Sequence, residues 1–177
     1  ELLAANPKER AENLMIVDLV RNDLSRIAET GSVAVPRLFE VESYPTVHQM
    51  TSTVTAGLRP GTGLIDILRA LFPCGSVTGA PKKRTMEIIA AMEQSGRGLY
   101  CGAIGYISPG GEAVFSVAIR TAVLETATGC CSMGVGSGIT WDSDPEAEFR
   151  ECLAKSAFLT SNATDVRLIE SLLHDRD

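Results

Sequence analysis

The chain has 177 residues, 45% of them apolar and 21% charged, the balance of a globular domain able to bury a core. Sixteen Lys plus Arg against 22 Asp plus Glu give a net charge of −6, and the longest basic run is Lys82-Lys83-Arg84, too short for a nucleic-acid partner. No window approaches the roughly 18 unbroken apolar residues of a membrane span, and five cysteines without CxxC spacing argue against a zinc ribbon or disulfide framework and fit a reducing cytoplasm.

The sequence begins ELLAANPKER, with no initiator Met and no signal segment, and so reads as a chain entered in mid-protein. Apolar residues at helical spacing from Pro7 to about Ile27 predict a helix, with Asn6 as cap and Pro7 in its first turn. Thr30-Gly31 stops it. The Val- and Thr-rich stretch to Leu58 predicts two strands, the second carrying His48, and LIDILRALF predicts a short helix. A glycine-rich loop, CGSVTGAPK, leads into a helix from Pro81 to about Glu93. Residues 99–139 read as three or four strands, turning at Pro109-Gly110-Gly111 and Ala127-Thr128-Gly129. Asp144-Pro145 opens a last helix, and a polar linker after Thr160 precedes a short apolar-acidic tail. The order of elements predicts an α+β fold with antiparallel sheet.

Two acidic pairs, Glu9 with Glu12 and Glu148 with Glu151, each place two carboxylates on one helix face. They suit a hard divalent ion such as Mg²⁺, although the same spacing occurs on ordinary solvated faces. Lys155 stands four residues after Glu151 and reads locally as a surface ion pair. GSVTGAPK lacks the P-loop spacing. It leads to a helix N-terminus, which serves either as a plain cap or as an anion seat with Ser76 or Thr78 adding a hydroxyl. Gly134, Gly136 and Gly138 alternate, as at a bulge or a close approach to the backbone. Arg120 interrupts an apolar strand run and either faces solvent or meets a carboxylate. Tyr100 is open to a core or a ligand role, and His48 to a packed or a catalytic one.

Taken in order, AENLMIVDLVRNDLSRI, YPTVHQMTSTV, FPCGSVTGAPKKRTMEII, RGLYCGAIGYIS, FSVAIRTAV and GVGSGITWDSDPEAEFRECLAKSAFL strongly resemble the chorismate-binding enzymes. That family includes anthranilate, aminodeoxychorismate, isochorismate and salicylate synthases. The resemblance covers about residues 5–160 and implies the chorismate-utilising fold, antiparallel sheets flanked by helices. The TGAPK loop and SVAIRT lean towards the aminodeoxychorismate branch; anthranilate synthases typically carry SGAPK. Cys74 departs from the glycine common there.

The resemblance implies roles by position. Glu12 and Glu151 match direct magnesium ligands, and Glu9 and Glu148 match acids holding metal-bound water. Arg120 and Tyr100, with backbone groups of Gly136 and Ser137, match the holders of the enolpyruvyl carboxylate. Lys155 matches a lysine near the substrate carboxylates, Ser76 a hydroxyl contacting the ring carboxylate, and His48 a histidine near the departing hydroxyl. The implied reaction replaces the 4-hydroxyl of chorismate by an amino group, with ammonia from a glutamine amidotransferase partner.

A PIKGT-type segment, whose lysine is the family branch's nucleophile, normally precedes the first helix and is not in this sequence, so the isolated chain is expected to have little activity. The tail VRLIESLLHD reads either as a terminal helix or as the opening strand of a fused lyase. Two other readings remain open, an anthranilate- or isochorismate-type enzyme and an inactive chorismate-binding module.

Overall fold

The computed structural model describes residues 5–45, 48–141 and 143–160, without the side chains of residues 158 and 160. The tail assigned from sequence to a linker or second domain lies outside these residues. Among these residues five helices and six strands follow in the expected α+β order: α1 (Pro7–Ser25), β1 (Ala34–Ser43), β2 (His48–Thr55), α2 (Leu64–Leu71), α3 (Gly75–Thr78), α4 (Lys82–Met92), β3 (Ala103–Ile107), β4 (Ala113–Val117), β5 (Ala122–Glu125), β6 (Cys130–Met133) and α5 (Pro145–Thr160). The described strands pair as three antiparallel ladders, β1–β2, β3–β4 and β5–β6. The chain divides into two compact units, Glu1–Thr85 and Met86–Asp177. Among the described residues no helix is long and apolar enough to cross a membrane. All five cysteines are free.

In the first unit, the Asn6 side chain caps α1 by accepting from the N–H groups of Lys8 at 3.0 Å and Glu9 at 3.4 Å. Pro7 occupies the first helical position, where a missing N–H costs nothing. The helix is anchored to the β1–β2 hairpin by polar and aromatic contacts. Asn13 accepts from Ser52 Oγ at 2.6 Å, Ser52 in turn accepts from the Phe39 N–H at 3.0 Å, and the Arg10 guanidinium lies 4.4 Å from the centre of the Phe39 ring. The register of β1 slips twice between Ala34 and Glu40, and Phe39 within that stretch has φ +58°. Val17, Ile27, Ala28, Met50 and Ala70 form the buried apolar centre.

Two sequence expectations shift. Residues 75–78, read as loop, form the helical turn α3, and α4 begins at Lys82 rather than Pro81. The Pro81 carbonyl accepts from the Thr85 N–H at 3.0 Å, so the proline stands just outside the helix it starts.

In the second unit, β3–β4 and β5–β6 turn where the glycine signals fall, with Gly111 at φ +88° and Gly129 at φ +72°. Asp144 starts α5 by accepting from the Ala147 N–H at 2.9 Å, in the manner of an N-cap. Cys101 and Ala118 are buried and joined by a backbone hydrogen bond of 3.0 Å. Large apolar side chains such as Leu124, Ile139 and Trp141 stay exposed, so the ladders of this unit bury little of their own surface.

Candidate functional site

The second unit brings Tyr100, Gly136, Lys155, Glu151 and Arg120 into one neighbourhood. Tyr100 lies in the turn before β3, and its ring rests on the alternating glycines that follow β6. A Cβ on Gly134 would stand 2.3 Å from Tyr100 Cγ, and one on Gly136 would stand 2.8 Å from the phenolic oxygen. Only hydrogen leaves room at these positions. Burial, then the neighbouring Cys101 thiol, push the Tyr100 phenol up to about 12, against a lowering by Arg97. Arg97 lies 5.9 Å from the ring centre, and Glu93 holds it through Nε at 2.9 Å and Nη2 at 2.6 Å.

Lys155 on α5 ties the glycine segment to the helix. Its ammonium donates to the Gly136 carbonyl at 2.9 Å and pairs with Glu151 at 2.6 Å. The surface pair read from sequence is present, and the backbone contact adds a second task. Beside it opens a depression of about 440 Å³ lined by Arg120, Glu151, Ala154 and Lys155. Two cations and one carboxylate at such a mouth favour a ligand that carries carboxylates of its own. Arg120 has φ +49°, a left-handed conformation that costs a non-glycine residue of the order of 1 kcal/mol. Ser137, next to Gly136, is half-buried.

One turn before Glu151, Glu148 is buried and accepts from Ser143 Oγ at 2.7 Å. Ser143 also accepts from the Thr140 N–H at 2.9 Å, so a serine just ahead of α5 orients this carboxylate.

The remaining candidates lie in the first unit. Glu9 and Glu12 are half-buried on α1, with Lys8 Nζ 3.9 Å from Glu12. His48 is exposed at the start of β2, its Nδ1 3.0 Å from Ser43 Oγ. Thr78 donates to the Cys74 carbonyl at 3.0 Å and serves its own turn, whereas Ser76 is exposed. Of the two hydroxyls considered from sequence, Ser76 is therefore the one presented to solvent.

The acids can be tested against Mg²⁺ by their donor chemistry. Among the described residues no group of three or more His, Cys, Asp or Glu side chains gathers as a preformed cage. Each unit offers two carboxylates on one helix, and one or two direct carboxylates suffice for Mg²⁺ when water and ligand oxygens complete the shell. The donor set fits the ion on those terms.

The sequence matches the family of chorismate binding enzymes over residues 1–161. The chain belongs to this family. It is 50% identical over 175 residues to the aminodeoxychorismate synthase of Streptomyces griseus, covering 99% of this chain and 23% of that protein. It is 49% identical over 160 residues to anthranilate synthase component 1 of Streptomyces coelicolor, covering 90% of this chain and 31% of that protein. Among solved structures, anthranilate synthase component I from Streptococcus pneumoniae superposes with a TM-score of 0.77 at 40% identity, covering 89% of this chain and 36% of that one. The chain thus spans about a third or less of the length of these relatives.

Sequence reasoning singled out the glycine alternation but not what rests on it; a tyrosine 34 residues away gives no local signal. Ser143 and Ala154 were missed for the same reason, each gaining its role only once α5 is in place.

Proposed function

We propose that the protein containing this chain is an aminodeoxychorismate synthase component I, which converts chorismate and ammonia to 4-amino-4-deoxychorismate, a precursor of 4-aminobenzoate and folate. Percentage identity barely separates this reading from anthranilate synthase. What supports it is the extent of the Streptomyces griseus match, 99% of the chain, together with the GSVTGAPK loop of this branch.

On this reading Arg120 and the Tyr100 hydroxyl hold the enolpyruvyl carboxylate beside the Gly136 and Ser137 backbone. Lys155, already fixed on the Gly136 carbonyl, adds positive charge for the substrate carboxylates. Ser76 donates to the ring carboxylate, and His48 stands by the departing hydroxyl. Glu12 and Glu151 would hold Mg²⁺ directly, with Glu9 and Glu148 acting through water. Bound there, the ion supplies charge neutralisation of the ring carboxylate and polarisation of the ring. Holding both substrate carboxylates fixes the ring for displacement at C4, where positioning supplies much of the rate. A glutamine amidotransferase delivers the ammonia, in the cytoplasm.

The test is product analysis with the complete protein, chorismate, ammonium and magnesium. We expect 4-amino-4-deoxychorismate by chromatography and mass. Anthranilate as the product would instead establish the second reading, which the Streptomyces coelicolor relative favours. Failure to bind chorismate would leave an inactive module.

A further inference from the structure

The first unit contains a buried charge cluster to which the proposed chemistry gives no part. Asp23, near the end of α1, is 6% exposed. One carboxylate oxygen accepts from the Lys82 ammonium, and the other accepts from Arg26 Nη2 at 2.9 Å. Lys82 is itself largely buried, its side chain 17% exposed. Arg26 donates again to the Ala70 carbonyl near the end of α2.

One turn earlier on α1, Leu19 presses on Gly75, where an added Cβ would lie 3.0 Å from Leu19 Cδ1 and 3.1 Å from its Cβ. Leu19 and Asp23 are four residues apart and share a helix face. That face therefore holds the segment between Gly75 and Lys82 at both ends, by apolar contact at the first and a buried ion pair at the second. Between them lie α3 with Ser76, and Gly79 at φ +105° just past its end.

Desolvating an ion pair is expensive, and apolar residues of similar volume often stabilise as well or better. What charges add over apolar packing is a defined register, because oppositely charged partners tolerate little displacement when water is excluded. We propose that Asp23 and Lys82 are positioning residues that set the Gly75–Gly79 turn, and with it the Ser76 hydroxyl, for the ring carboxylate of the substrate. The inference rests on the functional reading above, and its test separates the two.

The variants are Asp23→Asn, Lys82→Met, the pair combined, and Lys82→Arg, all in the complete protein. Cys74 adjoins the turn and reports its order by its rate of alkylation with iodoacetamide, followed by peptide mass spectrometry. Chorismate KM and kcat report its use. Each single neutral variant should raise KM roughly tenfold, the scale of a lost charged hydrogen bond, with kcat changed less than about twofold. The combined variant removes both charges that act on the Cys74 thiol and costs only the half-exposed Arg26 its carboxylate; it should fold, alkylate Cys74 faster and keep the raised KM. Lys82→Arg should restore both readouts most of the way. Unchanged alkylation in the folded combined variant would overturn the lock. Faster alkylation with an unchanged KM would leave the lock standing and overturn the assignment of this turn to the substrate.

Discussion

Replacing Gly134 by alanine tests the contact on which the second unit's site is built. The new methyl would stand 2.3 Å from Tyr100 Cγ, 2.6 Å from Cδ1 and 2.8 Å from Cβ. These atoms lie at the root of the ring, so a change of its far end brings no relief and the backbone or the whole side chain must move. Overpacking of this kind costs about 1–3 kcal/mol, or a fall in Tm of roughly 2–12 °C for a chain of this length. Gly136→Ala meets the phenolic oxygen instead, at 2.8 Å, and should cost less because that atom is at the mobile end. The decisive assay is a double-mutant cycle with Tyr100→Ala, followed by thermal or urea denaturation. With the ring gone, Gly134→Ala should lose most of its cost. If it destabilises equally in both backgrounds, or in neither, the ring does not rest on this glycine and the description of the site is wrong.

Three further outcomes follow from the geometry. Tyr100 has a folded-state pKa raised to about 12, chiefly by burial. The unfolded tyrosine, near 10, therefore ionises first, and its share of stability is intact below about pH 10 and lost as pH rises towards 12. Tyr100→Phe should flatten that part of the alkaline unfolding curve. Lys155→Met removes both the hydrogen bond to Gly136 and the pair with Glu151. It should lower kcat/KM for chorismate in the complete protein at least about tenfold, while an unchanged value would remove Lys155 from the site. Asn6→Ala deletes the α1 cap and should cost about 1 kcal/mol; hydrogen exchange would show the loss as faster exchange of the Lys8 and Glu9 amides.

Helix starts were legible where the chemistry that makes them is local. Asn6-Pro7 and Asp144-Pro145 each hold a cap and a proline side by side, and both α1 and α5 begin there. The turn α3 was not legible, because four residues are too few to show a helical period, and Gly75 at its start and Gly79 just past its end read as loop. The carboxylate pairs were visible as pairs, but their meaning came from the order of six motifs rather than their spacing. Asp23 was hidden altogether. In VRNDLS it looks like any polar residue on a helix, and its burial depends on Lys82, 59 positions away.

The left-handed backbone of Arg120 has a consequence for how variants of this protein would be sorted. Glycine at that position relieves strain of the order of 1 kcal/mol, and much of the gain is offset by the freedom glycine gives the unfolded chain. Arg120→Gly should therefore melt close to the parent while removing the guanidinium that lines the depression. A library filtered for folding alone would pass this variant, whereas selection for carboxylate binding would reject it. At this residue thermal tolerance and fitness for purpose part company.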